Sequence, residues 1–151
     1  MNKFKIYLDN CCYNRPYDDF DSITVYLEAE AKLNIQNLIK NNDIELAWSY
    51  ILEFENSANP SFEIKELILE WKEISKINVL ENDTILLKAK ELHQLGIGVK
   101  DSLHIACAIE SNCEFFITTD KGIIKKAKNI ESIIVINPIN FIQFIEDKNE
   151  N

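Results

Sequence analysis

Arginine is nearly absent from the 151-residue sequence: Arg15 stands alone among 16 basic residues, against 25 acids, for a formal charge of −9. Affinity for nucleic acid rests on Lys and Arg neutralising phosphates. This balance excludes a general nucleic-acid binder, so activity on such a substrate requires cations or a partner to offset the repulsion. No apolar run approaches the ~20 residues that cross a bilayer, and the N-terminus shows no secretory h-region. The four cysteines are Cys11, Cys12, Cys107 and Cys113. They lack the Cys-x2-Cys spacing of a zinc knuckle and read as reduced, packed thiols of a cytosolic protein. Gly96 and Gly98 lack the third glycine and the preceding strand of a phosphate loop, so they read as a helix stop and a turn. Repeats, linkers and low-complexity tracts are also missing, which predicts one domain.

What is present is alternation. Strand-like runs cover Phe4 to Leu8, Asp43 to Ser49, Ile77 to Leu80, "CEFFITTD" and "ESIIVINP", the last closed by Pro138. Between them lie helical patterns. One spans about Ser22 to Asn41, with Ile23, Tyr26, Leu27, Ala31, Ile35, Leu38 and Ile39 on one stripe. Others start near Ser49, run from Ser61 to Ser75, end at Gly96, and run from Lys100 to Ser111; "INFIQFIEDKNEN" closes the chain. The segment "NCCYNRPYDDFD" reads as a polar, turn-rich loop. Such alternation predicts an α/β fold, a parallel sheet with helices on both faces.

In such folds function gathers at the carboxyl ends of the strands, which makes the acids there informative. Asp9 follows the first strand and Asp120 the fourth. Asp101 opens the helix "KDSLHIACAIE", whose following turns are mostly apolar. Each has a structural alternative as a helix cap or first-turn acid. In "WSYILEFEN", Trp48, Ile51, Leu52 and Glu55 follow i, i+3, i+4, i+7, so Glu55 interrupts an apolar face while Glu53 points away. Glu55 is therefore the candidate, with Glu53 as the alternative.

"YLDNCCYNRP", the inward acid of "SYILEFEN", "VKDSLHIACA" and "FFITTDKGI" together resemble the four acidic motifs of PIN-domain ribonucleases, in order, from Lys5 to about Asn140. The resemblance implies a single PIN-like nuclease domain over 1–141, with a short C-terminal helix and charged tail over 142–151. It implies a parallel sheet of order 3-2-1-4-5 and an acidic pocket holding Mg2+ or Mn2+. It further implies metal-dependent cleavage of RNA, as by the toxins of bacterial toxin–antitoxin pairs. Carried over by position, Asp9, Glu55, Asp101 and Asp120 form the catalytic set, with Asp9, Asp101 and Asp120 as metal ligands. Thr118 matches the polar residue before the last acid, and Ser49 the serine six positions before the glutamate.

The chemistry explains such a set. Phosphodiester hydrolysis needs a hydroxide near neutral pH and compensation for charge on phosphorus; divalent metals supply both, and hard oxygen ligands suit Mg2+ and Mn2+. On this reading Asp9 is a metal ligand and the polar loop after it is the rim of the site. Asn10 orients Asp9 or ends the strand as a turn residue. Arg15 clamps a phosphate or pairs with Asp18 or Asp19. Ser49 and Thr118 hydrogen-bond the carboxylates, and Ser49 is also a natural N-cap. His104 lies one turn past Asp101 and reads first as a hydrogen-bonded core histidine, second as a pocket residue. The "KGIIKKAK" cluster reads as a solvated helix face, with a phosphate contact as the alternative. Expected partners are single-stranded RNA and a protein antitoxin or a second copy of the chain, with no membrane. Two alternatives stay open: a partner-binding module without turnover, and a phosphotransferase using Asp9 as nucleophile. "DNC" lacks the second acid that the latter needs two residues on.

Overall fold

The structure, a computed structural model, describes residues 3–14 and 22–149. Five short strands carry the apolar runs: β1 (Lys5–Leu8), β2 (Glu45–Ser49), β3 (Ile77–Val79), β4 (Phe115–Ile117) and β5 (Ile134–Ile136). All pair in parallel, in the order β3-β2-β1-β4-β5, as the resemblance implied. From central β1 the chain builds outward through β2 and β3, then returns to add β4 and β5 on the other side. The switch point therefore lies between β1 and β4, where Tyr7 is in register with Phe116 and Leu8 with Ile117. Strand alternation sends neighbouring side chains to opposite faces, and both faces are covered. On one, Tyr7 stacks on Phe116 and meets His104 of the helix α6 (Val99–Glu110). On the other, Phe115 packs edge-on against Phe141 of α8 (Pro138–Asn149).

Local chemistry sets where the helices begin. α2 (Ile23–Lys40), α3 (Tyr50–Ser57), α4 (Phe62–Ile74) and α5 (Asp83–His93) start after Ser22, Ser49, Ser61 and Asn82. Each cap side chain accepts a hydrogen bond from the backbone N–H three residues on, satisfying an orphan donor of the first turn. α7 (Lys121–Lys126) is capped by Asp120. After α5 the chain turns through Gly96, whose φ of +93° suits glycine.

Two local readings change. Trp48 ends up in β2, so the helical face that includes Glu55 starts only at Ile51. The segment after Asp9 is not all loop: Asn10–Asn14 form a short helix, α1, with the Asn14 side-chain amide donating to the Asn10 carbonyl. Among the described residues no helix is long and apolar enough to cross a membrane.

A buried lysine is among the costs of the core. Lys32 of α2 is 0% exposed, and its Nζ has no hydrogen-bond partner. It lies 5.0 Å from the Tyr13 ring centre and 5.1 Å from that of Trp71. These aromatic faces attract the cation, but less strongly than water does. Burial holds the Lys32 pKa down at about 7. The unfolded chain thus binds a proton that the folded one lacks between about pH 7 and the ordinary Lys value of ~10.4. Stability should rise with pH through that window. Lys32→Met should flatten the slope and raise stability at pH 6 by about 1–3 kcal/mol, the cost of an unsatisfied buried polar group. Urea unfolding of both proteins at pH 6 and pH 9 measures this.

Candidate functional site

Asp9 is where the sheet's central strand becomes polar. Its N–H donates to the Ile117 carbonyl at 2.9 Å, so the backbone stays tied to β4 one residue beyond the apolar run. The carboxylate is 6% exposed. It accepts from the Asn10 N–H at 2.8 Å on Oδ1, and from the Thr118 hydroxyl at 2.8 Å and the Cys11 thiol at 3.4 Å on Oδ2. Burial first, with the neighbouring Cys11 sulfur adding to it, lifts its pKa to about 8 against the lowering by His104 and Thr118. Thr118 is itself buried, and its Oγ1 accepts from the Asp120 N–H at 3.1 Å. Asp120 in turn uses Oδ1 to accept from Gly122 and Ile123 at the start of α7. Capping and proximity to the site are thus combined in Asp120.

Glu55, in the last turn of α3, turns inward. Its Oε1 hydrogen-bonds His104 Nε2, and its Oε2 lies 3.9 Å from Lys100 Nζ. Burial alone raises its pKa, but the His104 and Lys100 interactions outweigh it and hold the carboxyl below its usual range. Glu53 faces solvent and pairs with Lys72 at 2.6 Å. The inward position of Glu55 comes from the cap at Ser49, which starts α3 where β2 stops.

His104 proves to be both a core residue and a pocket residue. It is wholly buried, and its Nδ1 lies 2.6 Å from the Tyr7 hydroxyl, which lies 2.5 Å from Ser49 Oγ. A continuous polar chain, Ser49–Tyr7–His104–Glu55, therefore runs through the interior from the foot of α3. Ligand atoms of Asp9, Glu55 and His104 all lie within 4.8 Å of one another. Asp101 and Asp120 are not members of that group. They remain electrostatic neighbours: the Asp101 pKa is raised by burial first, with Asp120 and Glu55 adding to the rise against His104 and Lys100. Arg15 lies outside the described residues.

Sequence reasoning missed Tyr7 and Cys11. Tyr7 sits mid-strand between two core residues and carries no spacing signal. Cys11 was read as packing with the other thiols; Cys12, Cys107 and Cys113 are buried, but Cys11 is half-exposed and its Sγ also lies 3.5 Å from Thr118 Oγ1. The lysines of α7 are exposed, as a solvated face requires.

Two carboxylates, those of buried Asp9 and of Glu55, converge with an imidazole nitrogen, a donor set that suits a divalent cation. A cavity of about 220 Å³ opens beside them, lined among the described residues by Asn10, Asn14, Glu55, Ala58, Asn59 and Pro60. Asn59 donates to the Asn14 amide oxygen at 3.1 Å across it. A larger cavity of about 550 Å³ opens near Phe4 and Ile44, at the amino ends of β1 and β2, away from these acids.

A family model described as PIN domain matches residues 22–129. No curated protein matches the sequence significantly. Solved structures similar in fold include the following three. VapBC2 from Rickettsia felis, bound to a DNA fragment from its promoter, is 22% identical with a TM-score of 0.55. DNA-bound VapBC from Salmonella typhimurium is 11% identical with a TM-score of 0.55, and VapBC-1 from nontypeable Haemophilus influenzae is 18% identical with a TM-score of 0.53. Each likeness covers 89% of this chain and 98% of the other.

The buried Asp9 gives the metal-free protein a pH signature. With its folded pKa raised to about 8 above an unfolded value of ~3.9, its contribution is complete below pH 4 and is lost as pH rises towards 8. Metal-free stability should fall across that interval, by an amount of the order of several kcal/mol at full ionisation. Asp9→Asn should remove the fall. Thermal melts in EDTA from pH 5 to pH 8 test it: parallel curves for the two proteins would contradict the assignment.

Proposed function

The chain belongs to the PIN-domain family, and from that premise we propose that it is a divalent-metal-dependent endoribonuclease of single-stranded RNA. The observation that carries the proposal is the convergence of Asp9, Glu55 and His104 at the β1/β4 switch point, with Asp101 and Asp120 electrostatically close to it. Asp9 and Glu55 are the residues that would hold Mg2+ or Mn2+, and Asp101 and Asp120 would complete the charge around it. Such a cation, when bound, supplies Lewis-acid stabilisation of phosphoryl charge and an activated water. The chain's own groups prepare the place: Thr118 fixes the direction of Asp9, and His104 fixes that of Glu55. Asn10 lines the cavity through which a strand would enter. A flexible single strand reaches a recessed acidic pocket more readily than a duplex.

A protein partner belongs to the same proposal. Ile23 is 79% exposed at the start of α2, where Tyr26 and Leu27 are also exposed, and Phe62 is 72% exposed at the start of α4. The three similar structures described above are VapBC assemblies, and an antitoxin segment covering these side chains fits a toxin of that kind. The same exposed surface, with the −9 charge, favours a second reading: a partner-binding module that retains the pocket without turnover.

Labelled single-stranded RNA, incubated with Mn2+ or with EDTA, separates the two. Cleavage should require metal and fall at least ~100-fold in Asp9→Asn, since an oriented metal contributes several kcal/mol to the transition state. Mn2+ should also raise the melting temperature of wild type but not of the variant. Metal binding without cleavage of any RNA would leave the partner-binding module; equal cleavage by both proteins would identify a contaminant.

A further inference from the structure

The donor group beside Asp9 is not made of oxygen alone. His104 is 0% exposed, and its ring is pinned from behind, with Nδ1 at 2.6 Å from the Tyr7 hydroxyl. Its other nitrogen, Nε2, is thereby aimed at Glu55 and at the space shared with Asp9. Histidines that bind metals are held in this way, by a hydrogen bond on the far nitrogen that sets tautomer and orientation.

We propose that His104 Nε2 is a ligand of the pocket's cation and that this nitrogen makes the pocket select a transition metal of the Mn2+ to Zn2+ class over Mg2+. The inference rests on reading the pocket as a cation site. Its first support is that, once a cation takes the place of the Nε2 proton, the groups behind the ring stay satisfied. With the Nε2 lone pair free, Nδ1–H donates to the Tyr7 oxygen and the Tyr7 O–H donates to Ser49 Oγ at 2.5 Å. Ser49 Oγ also accepts from the Leu52 N–H at 3.2 Å, which uses its two acceptor sites. A second support is the direction of the pair. The hydrogen bond from Nε2 to Glu55 Oε1 shows that both atoms face the same space, and a cation entering there takes the place of the shared proton.

The metal class follows from the donors. Mg2+ favours octahedral oxygen and keeps its waters. Imidazole suits later divalent metals, and affinity for a mixed nitrogen and oxygen site rises from Mn2+ towards Zn2+. Two carboxylates and one imidazole leave positions open for solvent or substrate.

The test uses the purified full-length protein loaded with Mn2+. Pulsed electron paramagnetic resonance should show direct nitrogen coupling, which shifts to the 15N pattern when histidine is labelled. His93, the other histidine, hydrogen-bonds the Ile97 carbonyl, and His93→Gln should keep the coupling. Calorimetry should find Mn2+ and Zn2+ bound at least ~10-fold more tightly than Mg2+. His104→Gln should abolish that preference and the nitrogen coupling, and Tyr7→Phe should weaken Mn2+ about 10-fold through the loosened ring. If His104→Gln fails to fold, the wild-type spectrum and Tyr7→Phe decide. Bound Mn2+ without nitrogen coupling, or Mg2+ bound as tightly as Mn2+, overturns the role of His104 and leaves the nuclease reading intact. Failure of wild type to bind any divalent cation overturns both.

Discussion

Everything at the carboxyl edge of the sheet follows from one unfavourable placement, a carboxylate buried at the end of the central strand. Asp9 stays tied to β4 through its own N–H, so it cannot swing out to water without breaking the first pairing past the strand. Its oxygens must then be met from within. Thr118 meets one from the neighbouring strand end and the backbone of α1 meets the other. Those donors are neutral, so they do not balance the charge that appears when Asp9 ionises. Two ionised carboxylates ~4 Å apart repel by about 4 kcal/mol at an effective dielectric near 20, so ionising Asp9 beside Glu55 favours a positive charge at this edge of the sheet.

The surrounding elements share the strain through short polar links. Thr118 serves Asp9 with its proton and Asp120 with its lone pair, so β4, α7 and the end of β1 are coupled by one hydroxyl. Lys100, on the first turn of α6, lies 3.9 Å from Glu55. It is largely solvent-exposed, and exposed ion pairs contribute little. Among the described residues the site thus carries little fixed positive charge of its own.

Much of this was legible in the sequence. Apolar runs alternating with helical periodicity specify a parallel sheet, because strands buried on both faces cannot alternate with polar residues. The placement of Asp9 and Asp120 after such runs marked the carboxyl edge. What was illegible depends on register and on side-chain direction. Tyr7 lies in a run of buried residues, and nothing in "KIYL" distinguishes a hydroxyl that packs from one that links. His104 and Glu55 are 49 positions apart, and their meeting is set by how α3 and α6 flank β1. α1 escaped notice because five residues are too few to show periodicity. Trp48 followed the helical spacing of Ile51, Leu52 and Glu55 by coincidence, since a strand running straight into a helix leaves no break in the apolar pattern.

Ser49 joins two demands in a single atom. Its oxygen terminates β2 by capping α3, and the same oxygen anchors the polar chain that reaches Glu55. Separate residues for these tasks would let each drift and be repaired on its own. Here a change that removes the hydroxyl unsettles the start of a helix and the setting of the pocket together, and only threonine among the other amino acids retains an oxygen on the same carbon. Architecture and chemistry are inherited at this position as one trait, so selection on either is enough to preserve both.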